Sequence, residues 1–292
     1  MEILKLAQSI DARTIFVVGT GRDVGKTTAL RAIYEAAWNA GIRVALASVG
    51  RDGEAPAQNP TRAKPRLWLQ PETVFATARA LLPSSPAAEV VRLSSLRSAA
   101  GGVLYARVVQ AGFYELAGPP TASGVREVVE ELLSRSDITI VDGAVDRVAA
   151  LAGSDGAIVV AGGAATATTP REAAAELAAL TSRLRVPRFD SDAASVDVEG
   201  ALTAVDAARF VAEGETRQIV VGDPTQIALS GRSATEAFER LKIRCRRPLH
   251  VIAVTVSSIG PERNFEPVQF ADAVAAATEL PTFDVYRSAR AA

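Results

Sequence analysis

The chain has 292 residues, 48% of them hydrophobic, and a formal net charge of −1 at pH 7. That is enough apolar material for a sizeable core, and so small a net charge argues against a broad electrostatic surface for nucleic acid. No uncharged apolar run is long enough to span a bilayer, and Met1-Glu2-Ile3-Leu4-Lys5-Leu6 lacks a secretory pattern, so a soluble, cytoplasmic protein is expected.

The first strong signal is a β-branched run, Thr14-Ile15-Phe16-Val17-Val18, followed by Gly19-Thr20-Gly21-Arg22-Asp23-Val24-Gly25-Lys26-Thr27-Thr28 and a helix-like stretch. Strand, glycine-rich turn and helix in that order form the setting of a phosphate-binding loop. Closely spaced glycines let successive N–H groups turn inward around phosphate oxygens, and the helix aims the positive end of its dipole at them. Lys26 then reaches the β- and γ-phosphates and Thr27 a magnesium ion. The common spacing Gly-x4-Gly-Lys-Ser/Thr places a glycine at position 20, where this chain has Thr20. A dinucleotide fingerprint needs glycine at position 24, where Val24 stands, so the NAD reading loses its third glycine.

Farther along, the runs 44–49, 138–141, 158–160, 219–221 and 251–256 read, with 15–18, mostly as covered strands of a mainly parallel sheet. Val125, Val128, Val129, Leu132 and Leu133 make a helical apolar stripe just ahead of Ile138. Thr169-Pro170-Arg171-Glu172 carries the signs of a helix start, and that helix should end before Pro187. Residues 52–65 are rich in turn formers and read as an exposed connection able to close over substrate, whereas 89–93, 102–110 and 113–116 read as short consecutive strands. The expected architecture is one doubly wound α/β domain over 1–292, with a small β-rich insertion at about 86–118 and ligand at the carboxyl ends of the strands.

A nucleotide site also needs carboxylates for magnesium. Asp142 directly follows Ile138-Thr139-Ile140-Val141, as a Walker B carboxylate does, with capping of the turn at Gly143 as its alternative role. Asp52 ends the second strand region and could bind magnesium or orient water; an Asp-Gly surface turn competes with that reading. Arg22 and Arg51 are candidates to balance phosphate charge, and Asp146 and Arg147 to orient the metal shell or to form a surface pair. Ser123 offers a hydroxyl or a helix cap. The turns 222–225 and 255–258 are places to look for the base pocket, with Asp223 by default a turn residue. The single cysteine, Cys245, reads as a passive half-buried thiol despite Arg244, Arg246 and Arg247, and the single histidine, His250, has no companion for zinc or triad chemistry.

The stretch Phe16–Thr28, FVVGTGRDVGKTT, resembles the opening of dethiobiotin synthetase and its relatives in the signal-recognition, MinD and BioD (SIMIBI) class of P-loop NTPases. The resemblance implies an ATP site with Thr27, Asp52 and Asp142 as the magnesium set. The extra lysine of MinD-like loops would fall at position 21, which is Gly21, and the lysine-containing substrate segment of a dethiobiotin synthetase is replaced by Ser48-Val49-Gly50-Arg51-Asp52-Gly53-Glu54. SVGRDGE, AGPPTASGVREV from Ala117 and VDGAVDR from Val141 look more like the ATP-binding reactivase subunit associated with lysine 5,6-aminomutase.

That second resemblance implies an ATPase acting on a partner, either a cobalamin-dependent aminomutase or a second reactivase subunit. The competing function is an ATP-dependent ligase or kinase acting on a small molecule. Lys26, Asp52 and Asp142 are the expected catalytic set and residues 19–28 the nucleotide cradle; a second copy of the chain is a candidate partner, with Arg22 reaching the interface.

Overall fold

β-Branched runs separated by amphipathic stretches fold here as alternating strands and helices. A computed structural model of the chain describes residues 2–50, 66–143, 148–152 and 155–288. The first part contains α1 (Glu2–Gln8), β1 (Thr14–Gly19), α2 (Lys26–Asn39), β2 (Val44–Ser48), β3 (Leu67–Leu69), β4 (Val74–Ala78), β5 (Ala88–Ser98), β6 (Gly101–Val108) and β7 (Gly112–Tyr114). It continues through α3 (Ala122–Leu133), β8 (Ile138–Asp142), β9 (Ala157–Gly163) and α4 (Pro170–Leu184). Next come β10 (Ser195–Asp197), β11 (Leu202–Thr203), α5 (Ala204–Ala212), β12 (Gln218–Val221), β13 (Ile227–Ala228), α6 (Gly231–Arg240) and β14 (Lys242–Cys245). The chain then returns through β15 (His250–Ser257), α7 (Pro267–Thr278), β16 (Thr282–Asp284) and α8 (Val285–Ser288).

Nine strands form the central sheet in the order β16-β15-β9-β1-β8-β2-β4-β6-β5. The first seven run parallel, while β6 and β5 are antiparallel additions at one edge. Every residue of β1, β2, β8 and β9 is buried, as a parallel sheet covered on both faces requires. Side-chain alternation divides the core into two layers. Ile15 and Val17 of β1 pack with Leu30 and Ile33 of α2, on the face shared with α1 and α8. Phe16 and Val18 join Val125, Leu132, Leu177 and Phe270 of α3, α4 and α7 on the other. Burying one such aliphatic side chain contributes about 1.5–3 kcal/mol, so these layers hold the carboxyl ends of β1, β8 and β2 at fixed relative heights.

The doubly wound α/β expectation is thus met. The strands expected near 86–118 exist, but β5 and β6 extend the central sheet, and β7 pairs antiparallel with β3. The run 219–221 lies outside the central sheet. It is the middle strand of a separate parallel sheet, β10-β12-β14, with its own core of Phe210, Ile219, Val221, Ile243 and Cys245. A continuous apolar run signals a strand covered on both faces and does not say which sheet it joins. Cys245 is fully buried rather than half-buried, and burial pushes its thiol up to about 11 despite the neighbouring arginines. Its Sγ–H donates to the Val186 carbonyl at 3.1 Å.

Helix α4 starts as its sequence indicates, with Thr169 Oγ1 accepting from the Glu172 N–H at 3.1 Å, Pro170 in the first turn, and an end at Leu184. Among the described residues no helix is long and apolar enough to cross a membrane.

Candidate functional site

The loop after β1 is built by backbone geometry. Gly19 ends the strand, and the Thr20 N–H donates to the Ala161 carbonyl of β9 at 2.9 Å, which fixes where the chain leaves the sheet. Asp23 and Gly25 then take left-handed conformations, φ 57° and 85°, and turn the chain into α2. Gly25 is the N-cap of that 14-residue helix and, as a glycine, supplies no side-chain cap.

Close approach requires two of the glycines, and the left-handed backbone a third, Gly25. A Cβ at Gly19 would lie 2.9 Å from the Lys26 stem and Val24, and one at Gly21 2.4 Å from the Thr166 methyl. At Gly25 it would meet Ser257 at 3.2 Å and Val285 at 3.3 Å. Lys26 is buried, and its Nζ donates to the Gly21 carbonyl at 2.5 Å. Close-packed loop glycines, a glycine at the helix N-cap and a lysine folded back onto the loop suit a chain of phosphates. Val24 is buried, Thr27 and Thr28 are half-buried, and Arg22 and Asp23 are exposed.

Asp142 stands beside this loop. Strand β8 runs between β1 and β2, so Asp142 is level with Val17 on one side and Ser48 on the other. Ile138 and Ile140 pack under α2, so the two-residue period puts Asp142 on that face, as it does Ser48 after Val44 and Leu46. Both are buried. The Asp142 carbonyl accepts from the Val49 N–H at 2.9 Å, and the Gly143 N–H donates to the Val17 carbonyl at 2.9 Å. These bonds lock the strand ends together and leave the carboxylate on the helix side. Asp52, Arg51, Asp146 and Arg147 lie outside the described residues.

Two walls flank the loop. On the β2 side, the buried strap 115–119 crosses the strand end. Gly118 sits so close that a Cβ there would be 1.8 Å from the Ser48 carbonyl oxygen, and the Gly50 N–H donates to the Pro119 carbonyl at 3.1 Å. The strap leads into α3, whose N-cap is Thr121, its Oγ1 accepting from the Gly124 N–H at 3.2 Å. Thr121, not Ser123, therefore does the capping, because the bond must reach the third residue of the helix. On the other side, Ser257 ends β15 next to Gly25 and is followed by Ser258, both buried, with Asp284 of β16 level with Val256. Of the two turns considered for the base, 255–258 borders the loop. The other, 222–225, belongs to the separate sheet, where Asp223 holds the Thr225 N–H at 2.9 Å as a turn residue.

Residues 5–59 match a family model described as "Domain of unknown function (DUF1611_C) P-loop domain". The match supports a P-loop domain, and a P-loop domain suggests nucleotide binding. It starts within α1 and takes in β1, the glycine loop, α2 and β2. No curated protein and no solved structure matches the chain.

Several P-loop neighbours carry no signal in the sequence. Thr166, whose methyl supports Gly21, also donates from Oγ1 to Glu176 Oε2 of α4 at 3.1 Å. Burial raises the Glu176 carboxyl above its ordinary value, with the nearby Glu172 adding to the effect. Glu115 is a buried acid on the strap, its carbonyl accepting from Thr77 Oγ1 at 2.7 Å. Gly118 could have been suspected, since a glycine ahead of two prolines marks a tight passage.

Proposed function

We propose that this chain binds Mg-ATP at the β1–α2 loop, hydrolyses it, and uses its nucleotide state to act on a partner protein. The observation that carries the reading is the juxtaposition of a glycine-capped α2 start, close-packed loop glycines against Lys26, and Asp142 on the same face of the adjacent strand. Backbone N–H groups of residues 21–27 bind the phosphate oxygens, and Lys26 exchanges the Gly21 carbonyl for the β- and γ-phosphates. Thr27 Oγ1 and Asp142 hold magnesium, the carboxylate directly or through water, in keeping with a cation that takes one or two protein carboxylates beside phosphate. Bound there, magnesium neutralises charge developing on the transferred phosphoryl group. Asp52 joins this set as a magnesium ligand or by orienting the attacking water. Ser257 and Ser258 face the nucleoside side, next to Gly25.

The partner comes from the resemblance of SVGRDGE, AGPPTASGVREV and VDGAVDR to the reactivase subunit associated with an aminomutase, which assigns a cobalamin-dependent aminomutase or a second reactivase subunit. The first test is calorimetric titration of ATP and ADP, with and without Mg²⁺, into wild type and Lys26→Ala. Magnesium-dependent binding lost in the variant is expected; a folded wild type that binds neither nucleotide overturns the reading. Hydrolysis that no aminomutase or reactivase subunit alters would remove the partner assignment alone.

A further inference from the structure

The side chain at position 20 is a departure from the common loop, and its hydroxyl is left over by the fold. Thr20 Oγ1 is buried and has no hydrogen-bond partner among the described residues. An enclosed hydroxyl without a partner costs stability that a glycine at the same place would not lose, so it calls for a compensating role. Its surroundings supply one. The Thr20 N–H is fixed on Ala161, which pins the residue at the exit of β1. On either side, the Lys26 stem lies against Gly19 and the Lys26 ammonium rests on the Gly21 carbonyl. The lysine thus bridges the residues that bracket Thr20, within the cradle assigned to phosphate.

We propose that the Thr20 hydroxyl is a phosphate-binding donor of this loop, enclosed while Lys26 is folded onto Gly21 and satisfied when Lys26 extends to a bound phosphate chain. This rests on the nucleotide reading above and deepens it. Position 20, a glycine in the common pattern and donor-free there apart from its backbone, here gives a second kind of contact. Binding then relieves the orphaned hydroxyl as well as forming a charge-assisted bond.

The decisive variant is Thr20→Val, which swaps the hydroxyl for a methyl of similar shape, with Thr20→Ser to restore the hydroxyl. Each is titrated with ATP and ADP in the presence of Mg²⁺, and each is melted without nucleotide. Thr20→Val is expected to melt at or above the wild-type temperature while its nucleotide affinity falls about ten-fold or more; Thr20→Ser keeps wild-type affinity. Nucleotide affinity unchanged in Thr20→Val overturns the proposal. Should the valine variant not fold, Thr20→Ala against Thr20→Ser asks the same question, equal affinities again overturning it. Failure of the parent reading looks different: folded wild type would bind neither nucleotide.

Discussion

Lys26 and Gly21 close the loop on each other, the ammonium donating to the glycine carbonyl at 2.5 Å while the whole lysine side chain is buried. A neutral carbonyl is a weaker acceptor for an ammonium than a phosphate oxygen, so a triphosphate bound as proposed would outcompete it. Lys26→Met keeps the stem packed on Gly19 and removes the charge. Its ATP affinity should fall on the order of a hundred-fold in calorimetry, with little change in melting temperature. Undiminished affinity would remove Lys26 from the phosphate site.

Asp142→Asn tests the metal assignment with almost no change of shape. Asp142 lies level with Val17 and Ser48 on the α2 face. Nucleotide binding without magnesium should persist, while the gain in affinity or turnover on adding magnesium shrinks by about ten-fold or more. A magnesium dependence equal to wild type would leave Asp142 as the cap of the turn at Gly143.

Gly118→Ala should be costly although it adds one methyl group. The added carbon would stand 1.8 Å from the Ser48 carbonyl oxygen, a backbone atom that cannot rotate away. A loss of about 2–4 kcal/mol in urea denaturation is expected. Wild-type stability would mean the strap does not seat on β2 as described.

Glu176 gives a pH signature of defined sign. Its carboxyl is raised above the ordinary 4.5 chiefly by burial. An acid with a higher value folded than unfolded holds its proton longer when folded, so stability falls as pH rises through that window. Glu176→Gln, which can still accept from Thr166, should therefore melt higher than wild type near neutral pH. The gap should close as pH drops below the ordinary carboxylate value; a gap constant with pH would contradict it.

Cys245 should behave as an unreactive thiol, being fully buried with its value pushed up to about 11. It is the chain's only cysteine, so thiol-reactive reagents report on one place. Labelling in native buffer should be slow and should accelerate only under conditions that open the β10-β12-β14 unit. Fast stoichiometric labelling of the folded protein would overturn this.

The order strand, glycines, lysine, helix over residues 14–28 and the buried strand that ends at Asp142 were legible because each is set by local sequence. The helix start at Thr169-Pro170 was legible for the same reason. Sheet membership was not. Ile219-Val220-Val221 is as apolar as Ile158-Val159-Val160 yet joins another sheet, because partner choice is settled by distant packing. Thr166 under Gly21 was hidden, and the Gly-Pro-Pro run hinted at a tight passage at Gly118 without naming Ser48, because such contacts join residues far apart in sequence.

Gly25 is made before Ser257 and Val285, the side chains against it, which follow more than two hundred residues later. A nascent chain can build β1 and α2 and pair them with β8 long before those side chains leave the ribosome. Its glycine turn then lacks one of its supports, so a polypeptide interrupted before β15 would carry the motif without the packing that backs it.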